Sequence, residues 1–291
     1  MTSDLTTVLG GLARLIRPRQ WVKNTFVLTP LVFSGQFNVP EQIEHALLAF
    51  VLFCVASSAT YILNDILDIE RDRAHPKKRY TRPLAAGEVT IPQALVAMGV
   101  LYAILLAGFL VQPLVTLVIL GYLAVNVGYT IALKHEPVID IFVISSGFVL
   151  RVYAGAVALS VPVSPWMFVT TLCLALYLAS IKRRQELIQS GAEGRQVLGR
   201  YSVPLIDRFA EMAATGALVF YSLFVVTARP ELVVSIPFVL YGIYRYWYVV
   251  EILESGESPT DALLADKQLI VTVLLWIGTC AWIILKGDLS L

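Results

Sequence analysis

Nine apolar runs, each close to the length of a membrane crossing, dominate this chain of 291 residues. A bilayer core of about 30 Å needs about 20 apolar residues at about 1.5 Å rise each. The runs cover residues 20–36, 43–63, 92–110, 113–133, 138–160, 165–181, 211–228, 232–250 and 268–286, the first being short and interrupted by Pro30. Lipid offers no partner to exposed backbone polar groups, so runs of this length are expected to be helices. No Gly/Ser-rich linker or low-complexity tract separates them. The expectation is therefore one all-α, polytopic domain over residues 1–291, a bundle of nine transmembrane helices. Composition agrees, with 57% hydrophobic and 15% charged residues and a mean hydropathy of +0.74. A soluble domain carries about 25% charged residues. These values exclude a water-soluble enzyme, a disordered chain and a nucleic-acid binder with a basic face.

The placement of Lys and Arg orients the bundle. With nine crossings, eighteen of the 22 basic residues share one side, two lie within spans (Arg151, Arg245), and only Arg229 and Lys286 remain for the other. The positive-inside rule places the rich side in the cytoplasm, so a cell-membrane protein with a cytoplasm-facing polar end is expected. Acidic residues follow the same bias: only Glu41, Glu44, Glu231 and Asp288 fall outside. The first twenty residues lack a small-residue cleavage site, and no removed signal peptide is expected. Cys54, Cys173 and Cys280 sit singly in apolar stretches and read as small core residues.

The sharpest polar stretch is Asn64-Asp65-Ile66-Leu67-Asp68-Ile69-Glu70-Arg71-Asp72, at the cytoplasmic end of the second run. On one continuous helix, positions 64, 68 and 72 are neighbours, and Asp65 joins 68 and 72 at spacings of three and four. Three carboxylates and an amide on one face repel unless a cation neutralises them. Hard oxygen donors favour Mg²⁺, commonly shared with substrate phosphates. The following loop holds Arg73, His75, Lys77, Lys78, Arg79 and Arg82. Lys77 and Arg82 are candidate phosphate ligands, whereas Lys78 and Arg79 suit lipid anchoring. His75 reads either as a general base or as a helix-end residue.

A second cluster closes the sixth run, with Tyr177, Ser180, Lys182, Arg183, Arg184 and Glu186. Lys182 and Glu186 share a helix face, with Arg183 and Arg184 pointing elsewhere. Asp140 opens the fifth run, and Arg151 lies three turns along the same face, as a phosphate ligand or a structural pair. Asn126 and Tyr129 are positioned to line the same cavity. Near the N-terminus, Arg17-Pro18-Arg19-Gln20-Trp21-Val22-Lys23-Asn24 is either a basic flank or part of the site, with Trp21 an interfacial belt residue.

These residues resemble the UbiA superfamily of intramembrane prenyltransferases along nearly the whole chain. The resemblance implies a nine-helix bundle with a polar cavity open to the cytoplasm. Its first Asp-rich motif, N-D-x-x-D-x-x-x-D, matches Asn64, Asp65, Asp68 and Asp72, implying Mg²⁺ and diphosphate binding there. The second motif, D-x-x-x-D, is missing; Lys182-Arg183-Arg184-Gln185-Glu186 stands in its place. That departure is similar to the branch that acts as decaprenyl-phosphate phosphoribosyltransferases. So are the N-terminal run with Lys23, His75-Pro76-Lys77, Arg195 to Tyr201, and Ser258 to Asp261 continuing to Asp266-Lys267. The branch implies transfer of 5-phosphoribose from phosphoribosyl diphosphate (PRPP) to a polyprenyl phosphate, supplying cell-wall arabinan precursors. The expected site is Asp65, Asp68, Asp72 and Asn64 on the metal. Lys23, Lys77, Arg82, Tyr129, Asp140, Arg151, Lys182, Arg183 and Glu186 are expected on the substrates. The rivals are a prenyl transferase with a small acceptor and an anion transporter. Charge gathered at one mouth argues against the transporter. Self-association into a homo-oligomer stays open on the sequence.

Overall fold

The computed structural model describes residues 5–190, 196–252 and 259–289, all helical or in short connections, with no strand among them. Arg195 and Ser258, both part of the resemblance above, lie outside the described residues. A short helix α1 (Leu5–Leu15) leads into an unusually long 3-10 segment (Pro18–Leu28) and a brief α2 (Thr29–Phe33). Helix α3 (Pro40–Leu67) follows, then two small helices, α4 (Ile69–Ala74) and α5 (Lys78–Thr81). The remaining long helices are α6 (Ile91–Val111), α7 (Pro113–Ile131), α8 (Ile139–Ala158), α9 (Pro165–Ser190) and α10 (Val203–Ala228). The chain closes with α11 (Ile236–Glu251), a short α12 (Pro259–Ala265) and α13 (Lys267–Leu289).

Helix starts follow local chemistry. Pro40, Pro113 and Pro165 open α3, α7 and α9, where the missing N–H costs nothing. Thr90 caps α6 through a reciprocal bond with Gln93. Among the described residues, eight helices are long and apolar enough to cross a membrane: α3, α6, α7, α8, α9, α10, the Pro230–Glu251 stretch that contains α11, and α13. Helices α9 and α10 also overrun the expected 182–210 loop at both ends, carrying Lys182 to Glu186 on regular helix.

The first expected crossing, residues 20–36, needs correction. It is not a continuous α-helix but the 3-10 segment joined to α2. Pro18 and Pro30 interrupt α-helical hydrogen bonding, and side chains of α3 hold the segment in place. Trp21 Nε1 donates to Ser58 Oγ at 3.1 Å, and Asn24 Nδ2 donates to Ser57 Oγ at 3.0 Å. Further on, Leu28 and Leu31 pack with Ile43 and Ala46, near the start of α3. The segment thus lies antiparallel along α3, from the level of Asp65 to that of Ala46. Trp21 faces the bundle instead of forming an interfacial belt.

Two of the apolar clusters flank the charged end. Val27, Phe53, Ile119, Tyr122 and Ala154 form a core between the 3-10 segment, α3, α7 and α8. Tyr177, Tyr246, Val249 and Leu269 form another between α9, α11 and α13. Cys54 and Cys280 are buried, Cys173 is half-buried, and all three are free.

Gly155 lets the 3-10 segment touch α8. A Cβ there would stand 1.9 Å from the Val27 carbonyl oxygen, whereas one at Gly99 would meet nothing within 4 Å. Gly155→Ala should therefore lower stability by about 1–3 kcal/mol through overpacking, and Gly99→Ala should not lower it. Thermal unfolding of both variants in detergent checks this; equal midpoints would remove the close contact.

Candidate functional site

The Asp-rich stretch departs from the single helical face expected of it. Helix α3 ends at Leu67, Asp68 leaves helical geometry (φ −97°, ψ 9°), and α4 starts anew at Ile69. The carboxylates are also not unpaired, as the loop cations and the end of α7 fold against them. Asp65 is bonded by Arg17, and Arg82 Nη1 lies 4.0 Å from the same oxygen. Asp68 sits 3.9 Å from both Arg71 and Lys134, and Asp72 lies 3.7 Å from Lys78. Asn64 Oδ1 accepts from Thr130 Oγ1 at 2.8 Å. Among the described residues, no three His, Cys, Asp or Glu side chains gather closely enough to hold a metal ion as they stand. In donor chemistry the set still fits a hard divalent cation. It offers only oxygens, and Asp65 Oδ2 is buried with no hydrogen-bond partner.

The loop cations sort differently from the sequence expectation. Lys78 reaches Asp72, while Lys77 is exposed at the mouth. His75 Nδ1 accepts from the backbone N–H groups of Lys77 and Lys78, at 3.2 and 3.3 Å, and so serves as a helix-end residue.

The second cluster is an ion network built around Arg183, whose side chain is fully buried. Its Nε donates to Asp140 Oδ2 at 2.6 Å, its Nη2 to Tyr129 at 2.7 Å, and its Nη1 to Glu186. Arg183 therefore does not point away from Glu186; the i,i+3 spacing lets it reach back. Tyr201 Oη donates to the other Asp140 oxygen at 2.7 Å and accepts from Val138 N–H at 2.5 Å. Burial, with Asp140 beside it, pushes the Tyr201 phenol above its ordinary value, so it remains a donor. Arg184 turns outward to Asp207 at 2.7 Å and Glu251 at 2.5 Å. Lys182 and Glu186, 3.9 Å apart, keep exposed surface. Tyr177 belongs to the core, stacked on Trp247.

Deeper in the bundle, Arg151 does not pair with Asp140. Its Nε donates to Asn24 Oδ1 at 2.8 Å, and its Nη groups to the Gly147 carbonyl (2.8 Å) and Tyr122 (3.2 Å). The rings of Phe53, Tyr122 and Phe148 surround its guanidinium. Lys23, half-buried, lies within electrostatic reach of Arg151, Arg17 and Asp261. Asn126 Nδ2 donates to the Tyr122 carbonyl at 2.8 Å.

Sequence reasoning did not single out Lys134 or Thr130, and it named Arg17 and Tyr201 only as members of longer stretches. Each reaches the cluster from an element distant in the chain, and no spacing signals such a partner. The hints were the basic run around Trp21 for Arg17 and the Arg195 to Tyr201 stretch for Tyr201.

An Asp-rich helix end facing a basic loop is mounted on a bundle of membrane-length helices. The chain belongs to the UbiA prenyltransferase family, whose model matches residues 26–273, and it is an integral membrane protein. Curated relatives include the decaprenyl-phosphate phosphoribosyltransferase of Mycolicibacterium smegmatis, 35% identical, covering 94% of this chain and 92% of that protein. The enzyme of the same name from Corynebacterium glutamicum is 37% identical, covering 92% and 84%. Among solved structures, a UbiA homolog from Archaeoglobus fulgidus bound to GPP and Mg²⁺ superposes with a TM-score of 0.69 at 20% identity, covering 94% and 99%. That likeness shows the fold. The family resemblance read from Asn64, Asp65, Asp68 and Asp72 is thereby borne out.

Removing one partner of a buried ion pair leaves the other charge uncompensated, at a cost of about 3–5 kcal/mol. Asp140→Asn should destabilise the protein, by less than that because Arg183 keeps Glu186, whereas Lys182→Gln, at a half-buried position, should change stability little. Denaturant unfolding in detergent compares them, and equal stability would detach Arg183 from any structural role.

Proposed function

We propose that this protein transfers 5-phosphoribose from PRPP to a polyprenyl phosphate, releasing diphosphate, at the cytoplasmic face of the cell membrane. The observation that carries this reading is the second cluster. Lys182 and Glu186 stand where the family pattern has two aspartates, and Arg183 is locked behind them. A cation at that place suits a donor carrying a 5-phosphate besides its diphosphate. The names of the relatives at 35–37% identity support the same reaction.

In this mechanism Asp65, Asp68, Asp72 and Asn64 would hold Mg²⁺, which supplies neutralisation of the leaving diphosphate. Arg82, Lys78 and Lys134 ring those carboxylates and take up diphosphate oxygens. As the C1–O bond lengthens, negative charge grows on the diphosphate and positive charge on the ribosyl carbon. Fixed cations aimed at the diphosphate stabilise that change more than they stabilise the ground state. A phosphate oxygen of the polyprenyl phosphate attacks C1 from the opposite face and inverts it. This oxygen is already anionic, so no general base is required and His75 keeps its structural role. Lys182 faces the 5-phosphate, and Glu186, oriented by Arg183, accepts hydrogen bonds from ribose hydroxyls. Tyr129 and Asp140 hold Arg183 in place. Lys23 and Arg151 add positive potential deeper in the bundle, and Lys77 adds it at the mouth. The polyprenyl tail runs between helices into lipid.

Diphosphate release from PRPP by the purified protein, with polyprenyl phosphate and Mg²⁺, tests the reaction directly. Asp68→Asn should nearly abolish turnover while leaving the thermal midpoint unchanged; near-normal turnover across a range of Mg²⁺ would remove Asp68 from the site. Lys182→Asp combined with Glu186→Asp recreates the D-x-x-x-D spacing, removing one cation and adding one anion. PRPP affinity should fall about a hundredfold, or about 2.7 kcal/mol, with Lys182→Arg milder because its charge survives. Equal PRPP affinity in all three proteins by calorimetry would make the Lys182 to Glu186 stretch an ordinary basic membrane flank and remove this support for the phosphoribosyl reading, whereas consumption of geranylgeranyl diphosphate with an aromatic acceptor would shift the function to prenyl transfer.

A further inference from the structure

Each carboxylate of the Asp-rich stretch lies beside a cation, and Asp65 is the one held most closely. Arg17 bonds its Oδ1, while its Oδ2 and the Arg17 Nε are both buried without partners. Arg17 comes from a separate element, as the residue preceding the 3-10 segment. Its backbone is left-handed (φ 53°, ψ 62°), a strained state for a residue with a Cβ. Ser58 Oγ touches the chain on both sides of it, sharing its one proton between the Ile16 carbonyl at 2.9 Å and the Cys54 carbonyl at 2.8 Å and accepting from Trp21 Nε1 at 3.1 Å. The guanidinium rests over the Tyr61 ring, 4.8 Å from its centroid. The charge of Arg17 is thus anchored at Asp65 by the backbone around it.

Among the described residues, Arg17, Arg71, Lys78, Arg82 and Lys134 lie within 4.0 Å of the three aspartates, so cations outnumber these carboxylates. A divalent cation arriving by itself meets that excess. A diphosphate carrying the cation arrives as an anion and is drawn in. We propose that Arg17 is a positioning residue that makes divalent-cation binding at Asp65 conditional on diphosphate. Its guanidinium opposes the cation alone; when the two enter together, its donors pass from Asp65 to diphosphate oxygens and leave the carboxylate to the cation. This deepens the metal–diphosphate part of the reading above and does not depend on which organic group the diphosphate carries.

The test uses the full-length protein in detergent, Mn²⁺ as the probe, and equilibrium dialysis at fixed free Mn²⁺, with and without inorganic diphosphate. For the wild type, diphosphate should tighten Mn²⁺ binding at least about tenfold, equal to about 1.4 kcal/mol. Arg17→Gln should tighten binding of Mn²⁺ alone by about tenfold and shrink the increment due to diphosphate. Arg17→Lys, which keeps the charge, should return towards the wild-type pattern. A folded Arg17→Gln protein with unchanged or weaker affinity for Mn²⁺ alone overturns the proposal, because a merely structural role would not raise that affinity. If Arg17→Gln does not fold, Arg82→Gln should move both quantities in the same direction by less, and no change there overturns it equally. No Mn²⁺ binding under either condition overturns the metal reading along with it. The phosphoribosyl reading fails separately, through the PRPP measurements above.

Discussion

Charge inside an apolar bundle has to be matched within a few ångströms, and that requirement organises the functional end of this protein. Taking an ion out of water costs several kcal/mol, recovered only through close opposite charge and well-placed hydrogen bonds. The fully buried Arg183 meets this with Asp140, Glu186 and Tyr129, and Tyr201 completes Asp140 from the next segment. Helices α7, α8 and α9 and the segment before α10 are joined at that point. The orientation of Glu186, the carboxylate left at the surface of the network, follows from it.

The same rule governs the Asp-rich stretch, with a different result. Its cations are long side chains from the loop, the end of α7 and the N-terminal segment, several of them partly exposed. Such pairs are held by modest energies and can exchange partners. A site of this kind is suited to an incoming anion that offers the cations something better than a carboxylate. It unites two properties that separately look opposed: a motif of carboxylate oxygens suited to a hard cation, and an electropositive surround.

The 3-10 segment couples this end to the membrane interior. Along one strip of α3, Arg17, just before the segment, stands at Asp65, and the segment itself carries Trp21 at Ser58 and Asn24 at Ser57, Asn24 in turn orienting Arg151. Gly155 allows α8 to close on the other side. The charged mouth and the buried guanidinium are therefore parts of one packed unit.

Much of this was legible in the sequence. Hydropathy is a local property summed over one helix length, and eight of the nine expected crossings match helices long and apolar enough to span. The spacing of Asn64, Asp65, Asp68 and Asp72, with Lys182 to Glu186 in place of a second motif, led to the family. The exception, residues 20–36, fails because its prolines and polar side chains favour contacts with α3 over its own α-helical bonds. What the chain alone did not reveal is which charges meet. Arg17 and Asp65 are 48 residues apart, Arg183 and Asp140 43, and Arg151 and Asn24 127. Spacing rules act within one helix; pairing across helices is decided by crossing positions and the reach of side chains. So residue order determined the membrane bundle, its family and its charged end, whereas tertiary packing decided that the carboxylates are already neutralised, that Arg183 is internal, and that Arg17 stands at Asp65. The physical reason is that desolvation is set by the neighbours a charge acquires on folding.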